Sequence, residues 1–219
     1  MMTEVYVGNS ILRDIYTHIM LSGNNSAPST FLRYRNNTDL KGQLLQMESI
    51  SKIIFLSGNI LMPGSNQNGI YHINTYKPKK KIEQLLELEA VLVSFCPLVF
   101  YIECPPRGFK GRHEKHSREE FTYWGRRFRD RYSHILQHLK KLEVVSWNRL
   151  LSICIGRKFE HIEPLLEMSS FHFNFMVNHY RDNVHPDQTL CRVLGDILSQ
   201  ASQSSGFNYD FLPTFVVTL

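Results

Sequence analysis

The sequence predicts an α/β fold built on a parallel sheet with helices on both faces. Short apolar runs such as Val5-Tyr6-Val7, Lys52–Ser57 and Leu98–Ile102 read as buried strands. They alternate with stretches whose apolar residues recur at helical spacing, the pattern of strand–helix–strand units. The 219 residues, 42% hydrophobic and 21% charged, are enough to bury one sizeable core, and we read residues 1–219 as one domain.

Each element has its own signal. Val5-Tyr6-Val7 is the first strand, and Gly8-Asn9-Ser10 leads into a helix through Ile11, Leu12, Ile15, Tyr16 and Ile19. Gly23–Pro28 is a loop, Phe31–Arg35 a second strand and Leu40–Met47 a short helix. Lys52–Ser57 is a third strand that stops at Gly58-Asn59, and residues 62–76, rich in Gly, Asn and Pro, form a surface loop. Lys77-Pro78-Lys79-Lys80-Lys81 reads as a helix start with Pro in the first turn, followed by an amphipathic helix from Lys81 to Val93. Leu98–Ile102 is a fourth strand, ended by Pro105-Pro106. A long helix from Ser117 to Lys141 carries Phe121, Trp124, Phe128, Ile135 and Leu139 on one face, a stripe that reads as core. Val144–Trp147 is a last strand, and Thr189–Ser199 is a terminal helix after Pro186.

Composition excludes several classes. No run of eighteen apolar residues exists, so no membrane span is expected, and the N-terminus lacks the basic and apolar regions of a signal peptide. Cys96, Cys104, Cys154 and Cys191 lie far apart with no CxxC pair, which argues against zinc and against a disulfide scaffold. Free thiols in a reducing, intracellular and cytoplasmic setting are the expectation, with no metal and no cofactor. The chain carries 25 Lys and Arg against 20 Asp and Glu. The excess lies wholly in residues 107–131, which hold nine basic and four acidic side chains, while the rest balance. Such a cluster is either a solvated helix face or an anion-binding surface.

In parallel α/β sheets, ligands bind outside the carboxyl ends of the strands. The first strand delivers Ser10 there and the third delivers Asn59, while Asp182-Asn183-Val184-His185-Pro186 precedes the last helix. These are the residue types of an acyl-transfer site. A serine needs a base to take its proton, and histidine is that base. A carboxylate orients the imidazole, and amide donors hold the oxyanion. Each element also has a plain reading: Ser10 as a helix N-cap, Asn59 as a turn residue, Asp182 and His185 as a turn and a surface side chain.

Taken together, the motifs resemble the SGNH (GDSL-type) hydrolases. Gly8-Asn9-Ser10-Ile11-Leu12 is similar to that family's first block, Ser57-Gly58-Asn59-Ile60 to its third and Asp182–His185 to its fifth. Phe171-His172-Phe173 and the run His179–His185 resemble the PC-esterase branch. The resemblance implies a flavodoxin-like three-layer α/β/α sandwich around a five-stranded parallel sheet. It also implies a Ser10–His185–Asp182 triad, with Asn59 and the Ser10 N–H as oxyanion donors. The chain departs from the family pattern at Asn9, which replaces an aspartate, and at Ser57 and Ile60. The second-block glycine has no secure counterpart: Gly42 lies inside a helical pattern, while Asn36 or Asn37 fits the position without being glycine.

Two functions follow. One is a serine esterase acting on a small-molecule ester, with the basic segment favouring an anionic substrate. The other is a non-catalytic module on the same fold, similar in kind to the OSK domain of Oskar. It would bind RNA or another polyanion through Arg107, Lys110, Arg112, Arg126 and Arg127. The three retained triad residues favour the enzyme, and the altered blocks and concentrated charge favour the binder.

Overall fold

The computed structural model describes residues 2–23, 27–56, 77–106, 115, 117–120 and 132–219. The strands are β1 (Thr3–Gly8), β2 (Ser29–Arg33), β3 (Ile50–Leu56), β4 (Val99–Ile102) and β5 (Glu143–Val145). Between them lie α1 (Ser10–Ser22), α2 (Asn37–Leu44), α3 (Pro78–Phe95) and α4 (132–136). After β5 come α5 (Trp147–Cys154), α6 (Phe159–Leu166), α7 (Ser169–His179) and α8 (Gln188–Gln200), then a small hairpin of β6 (Ser202–Gln203) and β7 (Gly206–Phe207).

All neighbours in the main sheet are parallel, in the order β2-β1-β3-β4-β5, which is the flavodoxin-like order. Val5 lies beside Thr30 and Ile53, and Gly8 beside Arg33 and Leu56. The first three strands therefore finish together at one edge. Side-chain alternation along each strand splits the core in two. Tyr6, Ile54, Leu56, Phe100 and Ile102 face one cluster with residues of α1, α5 and α8. Val5, Val7, Ile53, Phe55 and Tyr101 face another with residues of α2, α3 and α4. Helices thus cover both faces, as expected.

The helix starts follow local chemistry. Asn9, Asn36, Ser146 and Asp187 each accept a backbone N–H from the first turn of the helix they precede, and Pro78 opens α3, where its missing N–H costs nothing.

The structure departs from the sequence reading in two places. Residues 147–179 hold three helices, and Trp147 opens α5 instead of closing a strand. The long helix expected over 117–141 is helical at 118–120, where Ser117 and Glu120 form a reciprocal capping box, and at 132–136, the residues between lying outside the described ones. It stops short of Lys141. The buried Glu89 carboxylate accepts the N–H groups of Lys140, Lys141 and Leu142 at 2.8, 2.6 and 3.2 Å and turns the chain into β5. Ile135 and Leu139 are buried as expected, while Phe121, Trp124 and Phe128 fall outside the described residues.

At the edge where the strands begin, Lys52 is a buried cation. Its ammonium meets Glu4 Oε1 at 2.8 Å and donates to Ser202 O and Oγ at 3.1 and 3.0 Å, fixing the β6–β7 hairpin to the sheet. Among the described residues, no helix is long and apolar enough to cross a membrane.

Candidate active site

β1 ends at Gly8, and the chain turns at once into α1. Asn9 takes the N-cap, its Oδ1 accepting the Ile11 N–H at 3.1 Å. Ser10 is therefore the first helical residue and not the cap. Its hydroxyl is left for another partner, and its N–H is one of the amides that a helix start leaves unpaired within the helix.

The partner arrives from the other end of the chain. Between α7 and α8, Tyr180 and Pro186 pair as an isolated antiparallel bridge. Arg181 N–H donates to His185 O at 3.0 Å and Asp187 N–H to His179 O at 2.8 Å, pinching residues 179–187 into a closed loop. Asp187 then caps α8. Gly195 lets α8 lie close against α1, since a Cβ there would stand 3.2 Å from Ile19 Cγ1 and 3.3 Å from the Ile15 carbonyl oxygen. The loop is thereby carried to the start of α1.

The structure brings Ser10, His185 and Asp182 together. Ser10 Oγ lies 2.7 Å from His185 Nε2, across 175 residues of sequence. His185 Nδ1 lies 3.0 Å from Asp182 Oδ2 and 3.1 Å from Oδ1. A carboxylate can only accept, so Nδ1 carries the proton in the neutral ring, Nε2 is the acceptor and Ser10 Oγ–H donates. Asp182 Oδ1 also accepts the N–H groups of Val184 and His185 at 2.7 and 2.8 Å. Its side chain is 2% exposed and that of His185 is 9% exposed, while Ser10 is half-buried. A serine hydroxyl, an imidazole and a carboxylate thus stand in line at the carboxyl edge of the sheet. Arg181, next to Asp182, pairs with Asp14 on α1 at 2.6 Å.

Other expected residues fall elsewhere. Asn59, in Ser57-Gly58-Asn59-Ile60, lies outside the described residues, as do Arg107, Lys110, Arg112, Arg126 and Arg127. Of the second-block candidates, Asn36 caps α2 through the Asp39 N–H. Asn37 is buried between Tyr34, Gln84 and Glu87, accepting from the Tyr34 hydroxyl and donating to the other two. Gly42 sits inside α2 with open space around it. On α7, His172 Nε2 contacts Leu166 O at 2.7 Å and His179 Nε2 contacts Thr218 O at 2.6 Å, so both rings are engaged with backbone.

Competing chemistry is weak nearby. All four cysteines are free and buried. Burial pushes the Cys191 thiol, beneath Pro186, up to about 12, and raises Cys154 as well, so neither is a thiolate at neutral pH. Glu103, just past β4, is also raised by burial; it accepts the Trp147 N–H at 2.9 Å and serves the start of α5. Among the described residues, no three His, Cys, Asp or Glu side chains cluster to hold a metal ion. The sequence reading missed the Asn9 cap and the Arg181–Asp14 pair. The first was legible as an Asn before a helical run; the second joins residues 167 apart and leaves no local trace.

No family model matches the chain, and no curated protein matches it. Among solved structures, the chain is similar to a Streptococcus pneumoniae protein provisionally described as a platelet activating factor. The two are 16% identical over 89% of this chain and 83% of that one, with a TM-score of 0.49. It is also similar to the C-terminal catalytic domain of the Streptococcus pneumoniae peptidoglycan O-acetyltransferase OatA, solved with a methylsulfonyl adduct. There the identity is 10% over 91% of this chain and 92% of that one, with a TM-score of 0.44.

Proposed function

We propose that this protein is a serine acyl hydrolase of the SGNH type. The observation that carries the reading is the 2.7 Å contact between Ser10 Oγ and His185 Nε2, with Asp182 behind the ring. In this mechanism Ser10 Oγ attacks an ester carbonyl while His185 Nε2 takes its proton, and Asp182 steadies the imidazolium. The Ser10 N–H, at the positive end of α1, and the Asn59 amide hold the oxyanion. The imidazolium then protonates the leaving alcohol. Water, deprotonated by His185, releases the acid from the acyl-enzyme and restores Ser10. The basic segment that follows β4 favours an anionic ester. Turnover of a short-chain aryl ester tests this. Ser10→Ala abolishes it with folding intact, and Asn59→Ala lowers kcat by about 10²–10³. Equal turnover by wild type and Ser10→Ala contradicts the reading.

A second reading rests on the charge. The whole net charge of +5 falls in residues 107–131. A polyanion-binding module would contact RNA through Arg107, Lys110, Arg112, Arg126 and Arg127. Its affinity would fall with salt, and replacing Arg107, Lys110 and Arg112 by alanine would flatten the log–log slope by roughly two units. Absence of RNA binding at low salt removes this reading.

A further inference from the structure

Ser10 and His185 come from opposite ends of the chain, so their contact depends on how α1 is held against the 179–187 loop. The loop keeps its own shape through backbone bonds between Arg181 and His185 and between His179 and Asp187, and none of these reaches α1. The Arg181 side chain does. Its Nη2 donates to Asp14 Oδ2 at 2.6 Å. Asp14 lies four residues past Ser10, one turn along the same face of α1, and Arg181 immediately precedes Asp182. The pair therefore joins the neighbour of the nucleophile to the neighbour of the carboxylate.

Stability does not explain this bond. The Arg181 side chain is 51% exposed, and exposed ion pairs contribute little. Charge balance does not explain it either, because Arg13 Nη2 lies 3.3 Å from the other oxygen of Asp14. Arg13 belongs to α1 itself, so only Arg181 of these two arginines links the helix to the loop. A displacement of about 1 Å between reacting groups costs on the order of 10² in rate. A tether one residue from Asp182 and one turn from Ser10 is well placed to prevent it.

We propose that Arg181 is a positioning residue: through Asp14 it holds the 179–187 loop against α1 and keeps His185 within hydrogen-bond reach of Ser10. Arg181 touches no reacting atom. The inference rests on the hydrolase reading for its kinetic consequence but has a structural readout of its own.

The test compares wild type, Arg181→Ala and Arg181→Lys. For a short-chain aryl ester, Arg181→Ala is expected to lower kcat by about ten- to a hundredfold with KM unchanged, and Arg181→Lys to recover most of the loss. The melting temperature of all three should agree within a few degrees, on the order of what an exposed pair supplies. Unchanged kcat in Arg181→Ala overturns the proposal, as does a raised KM with kcat kept, which would make Arg181 a substrate contact. In parallel, the His185 imidazole nitrogen resonances are followed by NMR. They should be sharp in wild type and Arg181→Lys and broadened by exchange in Arg181→Ala. If wild type shows no esterase activity, the hydrolase reading fails while broadening in Arg181→Ala still supports the tether. Sharp, unshifted resonances in Arg181→Ala overturn it.

Discussion

Gly8 lies so close to β3 that a Cβ on it would stand 2.3 Å from the Leu56 carbonyl oxygen and 2.8 Å from Leu12 Cβ. The constraint is spatial and involves backbone, which cannot swing aside as a long side chain can. It explains why the chain leaves β1 through glycine immediately before Asn9 and Ser10. Gly8→Ala is expected to destabilise the protein by about 1–3 kcal/mol, in the range of overpacked core sites. Urea unfolding checks this, and a loss below about 0.5 kcal/mol, as at an ordinary surface position, would show that the approach can relax.

Lys52 has the opposite relation to its surroundings: it is buried and needs what it touches. Lys52→Met leaves Glu4 with no cation at 2.8 Å and takes both hydrogen bonds from Ser202. Removing one member of a buried pair costs about 3–5 kcal/mol. Ser10 and His185, at the other edge of the sheet, should keep their 2.7 Å contact in the folded variant. Denaturant titration reads the loss, and a change below about 1 kcal/mol would put the pair in the surface class.

Glu103 gives a pH signature. Burial, reinforced by Glu167, raises its carboxyl above the usual range, while the Trp147 N–H partly opposes the shift. Its neutral form is thus favoured more in the folded than in the unfolded chain. That contribution is full below the ordinary carboxyl pKa and is lost as pH rises through the raised folded value. Glu103→Gln keeps an acceptor for Trp147 and removes the charge. The variant should melt higher than wild type at pH 7 and lose that advantage near about pH 4. An advantage that does not vary with pH contradicts this assignment.

Much of the layout was legible because the sheet is buried on both faces. Val5-Tyr6-Val7 and Leu98–Ile102 are continuous apolar runs, and such runs read as parallel strands. Ser10, Asp182 and His185 were legible because each sits beside a recognisable turn at the carboxyl edge. The helices over 147–179 were not. In α7 the alternation Phe171-His172-Phe173-Asn174-Phe175 has a strand's period, yet the segment is helical, with His172, Phe175 and Met176 buried and Val177 exposed. In α6, Pro164 interrupts a pattern only eight residues long. Glu89 ends the region of α4 through three N–H groups about fifty residues away, a bond no local pattern announces.

In the proposed mechanism Ser10 is a nucleophile activated by His185, whose imidazole Asp182 orients. The most direct measurement is the rate at which a fluorophosphonate probe labels Ser10, read by mass spectrometry in wild type, Ser10→Ala, His185→Ala and Asp182→Asn. Labelling is expected at Ser10 in wild type, none at that position in Ser10→Ala, loss by orders of magnitude in His185→Ala and a large drop in Asp182→Asn. No labelling of the folded wild type, or labelling that is indifferent to His185, would contradict it.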